Sequence, residues 1–371
     1  MAESKPSAGK HCCSRTCRSS TYRRGCRRRT HSSHDRVETG CQRGGPAVTL
    51  TTLAVIGLAF SLDLLIGEPP TAVHPVAWFG RFVDALDRPW STDERRQRLF
   101  GIGIAAAAPL VPAATAAGAV LVASELDPMG GGIAAALVLF STTSLRSLLE
   151  RTADVVRATD GDTEQAREQV IALVGRDVSS LSPGELRSAA VESAAENLAD
   201  GLVASLLPFA VLAPFSLPAA AAVAAWVKGV NTLDSMLGYP SKPIGTASAR
   251  LDDFVMYVPA RIAAVAIAVA ALDPLALPRA RRWARVPPSP NSGWPMATLA
   301  CSIGVRLEKP SVYVLNPDAD LPTLADGEQA VSLVGMAAVF SVVLAGMLVA
   351  VEPAIGTGLE TRVQTLVVVV T

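Results

Sequence analysis

Six long apolar stretches dominate the sequence and restrict the fold more than any other feature. They cover residues 48–66, 99–124, 133–149, 202–227, 254–272 and 329–351. Most approach the roughly 20 residues that a helix needs to cross a bilayer. Half of the 371 residues are apolar and 18% are charged, which excludes a disordered or collagen-like chain. The sequence therefore predicts an all-α, polytopic helical membrane protein.

Proline interrupts the fourth of these stretches. Pro208, Pro214 and Pro218 all fall between residues 202 and 227. Proline removes a helical hydrogen bond and kinks or ends a helix. We therefore expect this stretch to be either a broken helix or a hairpin.

Three polar segments separate the apolar stretches. The longest, residues 150–200, has helical patterning and predicts a small extramembrane helical layer. Residues 228–253 and 273–328 are richer in Gly, Pro and Asn and predict loops with short helices. We expect one integral-membrane domain over residues 48–351, followed by a C-terminal tail, residues 352–371.

The first 47 residues differ in composition from the rest. They hold 11 Lys and Arg against 3 Asp and Glu, and five of the six cysteines, with almost no large apolar residue. Such a leader cannot form a hydrophobic core, so we expect it to be disordered. Two alternatives are a zinc site, built from Cys13, Cys17, His31 and His34, and a mis-called start codon ahead of Val48.

The distribution of arginine predicts part of the membrane topology. Residues 81–98 and 151–187 each contain five arginines, whereas the turn between the second and third apolar stretches has no Lys or Arg. Cytoplasmic loops are enriched in these residues, so both basic segments should be cytoplasmic. The number of crossings after Asp200 stays open, because the fourth stretch is broken.

Polar residues near the ends of the apolar stretches are the candidates for chemistry. Asp63 ends the first stretch and is followed by a proline-rich turn and His74. Glu192, Glu196 and Asp200 have i, i+4, i+8 spacing, which places three carboxylates on one helical face. A magnesium ion with bound phosphate could relieve their repulsion, and a solvated acidic face is the alternative.

Two later segments repeat this mixture of charge and amide. Lys228, Asn231 and Asp234 can share one face of a first helical turn. Asp252 and Asp253 should point in different directions, and one of them could serve only to start a helix. Either segment could equally be structural.

A third such segment is Asn291-Ser292-Gly293-Trp294-Pro295. There a glycine lets the backbone turn beside an indole that could stack on a flat ligand. A structural role is the alternative for this segment too.

Taken together, these segments resemble a known family. The matching segments are SLDLLIGEPPTAVHPVAWFGR (61–81), VGRDVSSLS (174–182), ESAAENLADG (192–201), VNTLDSMLGY (230–239), ARLDDFVMYVPAR (249–261) and NSGWPMATLA (291–300). In order and distribution they resemble the CobD/CbiB family, the adenosylcobinamide-phosphate synthases of cobalamin biosynthesis. Residues 1–47 and the last 20 residues fall outside the resemblance.

The resemblance implies an ATP-dependent amide ligase in the cell membrane, with residues 48–351 as its catalytic domain. It would join adenosylcobyric acid to aminopropanol or aminopropanol phosphate, with ATP as co-substrate, Mg²⁺ as the metal and the corrinoid as substrate. Its active site would face the cytoplasm, and other cobalamin-assembly enzymes are possible partners, whereas nucleic acid is not.

We assign residues to roles within the matching segments. The predicted catalytic residues are Asp63, Glu192, Glu196, Asp200, Asp234, Asp252 and Asp253. The predicted substrate-binding residues are His74, Arg176, Asn197, Lys228, Asn231, Arg250, Asn291 and Trp294. The predicted magnesium ligands are Glu196, Asp200 and Asp234.

Two other classes of protein compete with the ligase. A transporter or ion-coupled carrier also has proline-broken membrane stretches with charges near the bilayer, here Asp63 and Arg261. However, the polar groups gather at membrane edges and in the insert, where a soluble substrate could be processed. A membrane-anchored nucleic-acid binder would rest on the charge of the leader alone.

Overall fold

The computed structural model of the chain describes residues 46–171, 173–174 and 178–370, with side chains described from residue 47 to residue 351. The basic leader, apart from its last two residues, and Arg176 lie outside the described residues. The predictions for them are therefore not taken further.

Helices are the main secondary structure of the described chain. The first half contains α1 (Pro46–Ile66), α2 (Pro75–Leu86), α3 (Glu94–Ala107), α4 (Leu110–Leu126), α5 (Pro128–Thr142), α6 (Leu145–Gly161), α7 (Thr163–Ile171) and α8 (Pro183–Leu198). A π-helical turn (Ala199–Val203) leads into α9 (Ala204–Leu212) and α10 (Leu217–Leu237). The remainder contains a 3₁₀ turn (Pro243–Gly245), α11 (Thr246–Val255), α12 (Tyr257–Ala270), α13 (Ala276–Ala280), α14 (Gly293–Ile303), β1 (Leu307–Lys309), β2 (Tyr313–Leu315) and α15 (Leu324–Val370).

Five helical segments are long and apolar enough to cross a membrane. Within the described residues they are Ala47–Ile66, Glu94–Leu126, Pro128–Gly161, Pro183–Leu212 and Leu324–Val351. The segments Pro243–Val255 and Tyr257–Ala270, bent by 47° at their junction, make a sixth if they count as one span. The expected all-α, polytopic membrane fold is confirmed.

The fourth apolar stretch forms a hairpin, which was one of the two alternatives. Helix α9 ends at Leu212 and α10 begins at Leu217, with Ser216 as its N-cap and Pro218 in its first turn. The Ser216 side chain accepts a hydrogen bond from the Ala219 amide at 3.3 Å. Proline is tolerated there because first-turn amides have no helical acceptor.

The polar insert is helical, as expected, but its last helix belongs to the buried part of the molecule. Helix α8 runs through the π-helical turn into α9 as one candidate span, Pro183–Leu212. Ala189, Val191 and Ala195 are fully buried in it. The acidic residues of α8 led to the prediction of a polar, extramembrane segment. The small apolar residues of the same helix are nevertheless buried.

A short β-hairpin is the element that the sequence did not predict. Strands β1 and β2 pair antiparallel, with Glu308 opposite Val314. The hairpin is held on α8, because the Glu308 amide donates to Ser188 Oγ at 2.8 Å. Strands of three residues are too short to show an alternating pattern, so the segment was expected to form loops and short helices.

Alanine-rich contacts bring α10 close to its neighbours. Helix α10 packs on α4, α5 and α9, while α12 packs on α14 and α15. Ala220, Ala221 and Ala224 of α10 are fully buried. Small residues let helix backbones approach closely, which is typical of helix packing in membranes.

Candidate functional site

Helix α8 carries the first group of predicted site residues. Glu192 is only 5% exposed, so a solvated acidic face is excluded at this position. Its Oε1 accepts from Ser188 Oγ at 3.0 Å and its Oε2 accepts from Tyr313 Oη at 2.8 Å. Both oxygens therefore already have protein donors, and they connect α8 to the β-hairpin.

The π-helical turn contains Asp200 and Gly201, and Gly201 lies against Ser144 at the start of α6. A Cβ added to Gly201 would lie 3.3 Å from Ser144 Oγ, so the two segments are in close contact. Single π-helical turns change the direction in which side chains project and are frequent at functional sites.

The end of α10 carries the second group. Lys228, Asn231 and Asp234 lie in the last turns of α10, so their expected place in a first helical turn is wrong. The helix continues past the apolar stretch, through Gly229, and ends at Leu237, with Gly238 as its C-cap. A Cβ on Gly238 would lie 1.8 Å from Asp234 Oδ1, so this glycine leaves room for the carboxylate.

Burial changes the acidity of Asp234. Helix α10 is not among the candidate spans, and Asp234 is half-buried near its end. Burial first, and the charge of Asp253 second, raise the pKa of Asp234 to about 6. Its Oδ1 is buried without a hydrogen-bond partner among the described residues.

Helix α11 carries the third group. Asp252 and Asp253 lie inside this helix, so the expectation that one of them starts a helix is wrong. Asp252 is 9% exposed and interacts through a side-chain hydrogen bond with Asn231. Asp253 Oδ1 accepts from Ser289 Oγ at 3.1 Å. The two carboxylates do point to different partners, as expected.

Four of these carboxylates form what we call the acidic cluster. Its members, whose charges act on one another, are Glu196, Asp200, Asp234 and Asp252. Two lysines act on them with opposite charge: Lys309 on Glu196 and Lys228 on Asp200. The fold therefore brings together acids from α8, the π-helical turn, α10 and α11.

The acidic cluster is compatible with a magnesium ion that shares its ligands with a phosphate group. Among the described residues, no three His, Cys, Asp or Glu side chains converge closely enough to hold a metal ion by themselves. Asp252 Oδ1, like Asp234 Oδ1, is buried without a hydrogen-bond partner. Magnesium usually takes one or two carboxylates and completes its shell with water or phosphate oxygens. The set Glu196, Asp200 and Asp234 stays a prediction.

A cavity of about 270 Å³ lies beside the acidic cluster. Its polar lining is Glu68, Thr71, His74, Ser141, Thr143, Ser144 and Lys228. Lys228 connects the two regions, because its charge interacts with both Asp200 and Glu68. Glu68, Ser144 and Lys309 were not among the predicted site residues, although Glu68 lies inside the first matching segment.

His74 lines this cavity and also starts α2. Its Nδ1 accepts from the Val76 amide at 3.1 Å, which makes it the N-cap of that helix. Burial is the main cause that lowers the pKa of His74, and Lys228 acts in the same direction. The imidazole is therefore neutral at pH 7, with its proton on Nε2.

Asp63 connects two helices. It is 1% exposed, and its Oδ2 accepts from the Arg146 amide at 3.0 Å, at the start of α6. Arg146 in turn donates to the Leu65 carbonyl at 2.9 Å, at the end of α1. These contacts give Asp63 a structural role in joining α1 to α6. Its catalytic role stays a prediction.

Asn291 and Trp294 surround an arginine. Asn291, 4% exposed, donates to the Asp253 carbonyl at 2.7 Å and accepts from Arg261. The Arg261 guanidinium lies 3.7 Å from the centroid of the Tyr257 ring and 5.3 Å from that of Trp294. The Trp294 indole thus contacts a cation of the protein itself.

The two remaining predicted residues lie on α8 and α11. Asn197 donates to the Ser193 carbonyl at 2.9 Å, on its own helix. Arg250 is exposed on the surface of α11. Neither position tests its predicted role in substrate binding.

Comparison with known proteins places the chain in a family. The family model described as CobD/Cbib protein matches residues 56–351. A probable cobalamin biosynthesis protein CobD from Methanothrix thermoacetophila is 34% identical, over 80% of this chain and 96% of that protein. The cobalamin biosynthesis protein CobD of Geobacter metallireducens is 37% identical, over 74% of this chain and 86% of that protein. The cobalamin biosynthesis protein CobD of Citrobacter koseri is 33% identical, over 74% of this chain and 88% of that protein.

No solved structure matches the chain. The matched region contains the acidic cluster, the cavity and the five candidate spans apart from the first turns of α1. The chain therefore belongs to the CobD/Cbib protein family.

Proposed function

We propose that this chain is an amide-forming ligase of cobalamin biosynthesis. It would use ATP to join a carboxylate of adenosylcobyric acid to aminopropanol or aminopropanol phosphate. The names of its relatives support the pathway. The observation that carries the chemistry is the acidic cluster beside Lys228 and the cavity, because activation of a carboxylate by phosphoryl transfer needs this combination of charges.

The residues of the acidic cluster fit the binding of magnesium and phosphate. Asp234 would hold the ion through its oxygen that has no protein donor. When bound, magnesium neutralises charge that develops on a transferring phosphoryl group. Lys228 would contact an anionic oxygen, which agrees with its place between Asp200 and the cavity.

The amine must lose a proton before or during its attack on the activated carboxyl group. Asp252 is better placed for this role than Asp253, because Asp253 Oδ1 already accepts from Ser289. Asp252 Oδ1 has no donor among the described residues and can accept a proton or a hydrogen bond. Glu192 would act as a support for α8, since both of its oxygens are occupied.

The carrier alternative is not favoured. The relatives are named for cobalamin biosynthesis and not for transport. We propose a cytoplasmic active site in the cell membrane, where ATP and a charged corrinoid are accessible, and association with other cobalamin-assembly enzymes.

The proposal is tested directly with the purified, detergent-solubilised chain. It is incubated with adenosylcobyric acid, ATP, magnesium and either amine, and the product is identified by mass. We expect an amide with at least one amine, and none when ATP is omitted. Absence of amide with both amines, from protein that stays folded, would overturn the ligase proposal.

A further inference from the structure

Helix α2 has an exposed aromatic face that its packing within the protein does not use. It has 12 residues, too few for the roughly 20 that cross a bilayer, and it is not among the candidate spans. Phe79 and Val83 are buried in one apolar cluster with Leu233 of α10. Trp78 and Phe82, by contrast, are 50% and 41% exposed. This aromatic pair is therefore left for a partner outside the chain.

The polar residues of α2 lie on a different side from the aromatic pair. Because successive residues rotate by about 100° around a helix axis, Asp84 projects about 120° away from Trp78, and Arg81 falls midway between them. Arg81 and Asp84 are both exposed. The helix thus has a buried face, an apolar exposed face and a polar exposed face, with an arginine at the border of the last two. This pattern is typical of an amphipathic helix that lies in the plane of a membrane surface.

The protein already satisfies the indole of Trp78. Its Nε1 donates to the Ala72 carbonyl at 2.8 Å, in the turn before α2. Since this N–H is the only polar group of the side chain, the ring can enter an apolar medium without leaving a donor unpaired. Tryptophan is enriched where membrane and water meet, because its ring is apolar and its edge is polar.

The segment after α2 lies at the level where the next helix enters the membrane. Trp90, in the loop between α2 and α3, stacks on Phe100 with the ring centroids 5.6 Å apart. Phe100 belongs to the candidate span Glu94–Leu126, in which Arg98 is the last charged residue before the apolar part begins at Leu99. Basic residues followed by an apolar run mark the headgroup region of a bilayer. The loop that follows α2 is therefore held at that level.

The segment before α2 leads to the same level. Leu65 and Ile66 end the candidate span Ala47–Ile66, and both are apolar and exposed. Only residues 67–74 separate this end from α2. Because the spans on either side of α2 both reach the interface beside it, α2 lies along the membrane surface.

We propose that α2 is an interfacial helix whose partner is the lipid surface, with Trp78 and Phe82 inserted beside the acyl chains and Arg81 on the lipid phosphates. The proposal goes beyond the proposed function and does not depend on it. Helix α2 has His74 of the cavity wall as its N-cap, and it packs on α10, whose last turns carry Asp234. The bilayer thus supports one side of the candidate site.

The first test measures the depth of α2 in a bilayer. The full chain, with alanine at its native cysteines, carries one nitroxide at Trp78→Cys, Phe82→Cys or Asp84→Cys in vesicles of phosphatidylcholine and phosphatidylglycerol. Electron paramagnetic resonance compares contact with oxygen, which concentrates in lipid, and contact with a water-soluble nickel chelate. We expect oxygen to dominate at positions 78 and 82 and the nickel chelate at position 84. Asp84 is the matched control, because it is exposed on the same helix but on the polar face.

Two outcomes of this test would contradict the interfacial helix. Equal ratios of oxygen to nickel contact at the three positions would overturn the proposal. Exclusion of both reagents from positions 78 and 82 would also overturn it, because a protein partner or a second copy of the chain would then cover this face.

Quenching by brominated lipid is a second test that leaves the aromatic pair in place. Bromine on the acyl chains quenches the fluorescence of indoles that lie among them. Trp78→Phe should reduce the quenched fraction, and Arg81→Glu should reduce it too, because a carboxylate repels the lipid phosphates. Trp294→Phe is the control and should not reduce it, since this indole contacts Arg261 within the protein. An unchanged quenched fraction in Trp78→Phe or in Arg81→Glu would overturn the proposal.

Discussion

Individual carboxylates in this protein differ in how many of their oxygens already have donors. Glu192 uses both oxygens within the protein, and Asp253 uses one. Asp234 and Asp252 each keep a buried oxygen without a hydrogen-bond partner among the described residues. A buried acceptor without a donor is costly, so it is most easily explained when a ligand completes it. These two residues are therefore the best places to test the site.

Asp234→Asn and Asp252→Asn should each lower the rate of amide formation by about 100-fold, because removal of one preorganised charged contact typically costs that much. Corrinoid affinity should stay nearly unchanged, since the lost interaction acts mainly in the transition state. Steady-state kinetics and corrinoid binding are measured separately.

The matched control is Asp84→Asn, at an exposed position on α2. It should keep the activity of the unchanged chain. Full ligase activity in both Asn variants of the acidic cluster would remove these residues from the catalytic group.

The raised pKa of Asp234 gives an independent prediction at the scale of single residues. The pKa of Asp234 is raised to about 6, so its carboxylate is charged at pH 7 and becomes neutral as the pH falls through about 6. Magnesium affinity should therefore be high above this pH and lost below it. Isothermal titration with magnesium and ATP at pH 5 to 8 measures this dependence, and Asp234→Asn should weaken it relative to the unchanged chain.

At the scale of elements, the bend between α11 and α12 is held by one arginine. Arg261 donates to the Tyr257 carbonyl at 2.8 Å, to the Pro290 carbonyl at 3.2 Å and to the Asn291 side chain. Asn291 in turn donates to the Asp253 carbonyl. The loop before α14 is thus fastened to the end of α11, next to Asp252.

Arg261→Met should lower the free energy of unfolding by about 1–3 kcal/mol, because it leaves the buried Asn291 oxygen without its donor. Arg261→Lys should recover only part of this loss, since an ammonium lacks the planar fork of a guanidinium. Thermal unfolding in detergent measures the difference. Arg281→Met, at an exposed position nearby, is the control, and a similar loss there would contradict the assignment.

The sequence predicted most of the long elements and missed the short ones. Four of the five candidate spans follow predicted apolar stretches, and the prolines predicted the broken fourth stretch. The span Pro183–Leu212, however, begins inside the segment that was predicted to be extramembrane. The π-helical turn at Asp200 and the strands of three residues gave no periodic signal. Lys309 lies on β1, so its proximity to Glu196 depends on the hairpin packing on α8 and could not be read from the sequence.

At the scale of the whole molecule, the hairpin of α9 and α10 determines which helix ends lie on the same side of the membrane. If Pro183–Leu212 crosses the membrane and α10 returns, the start of α8 and the end of α10 lie on one side. The acidic cluster then draws its residues from helices that open to a common aqueous face. The turn between α4 and α5 has no Lys or Arg, so we expect it to lie on the opposite side of the membrane.

Cysteine labelling tests this arrangement. Single cysteines at Ser180 and Ser235, both exposed, should react alike with an impermeant reagent in intact cells. Glu125→Cys, in the last turn of α4, next to the turn between α4 and α5, should show the opposite accessibility. The labelled chains carry alanine at the native cysteines, and opposite labelling of positions 180 and 235 would reject the common face.

The assembly of the acidic cluster from distant segments has a consequence for how the protein is made. A ribosome delivers Glu196 and Asp200 to the membrane before Lys228, and long before Lys309. During that interval Glu196 and Asp200 lack the cations that act on them in the finished protein. The membrane insertion machinery must therefore hold this segment in a hydrated environment, or leave its acids protonated, until α10 and the β-hairpin have emerged.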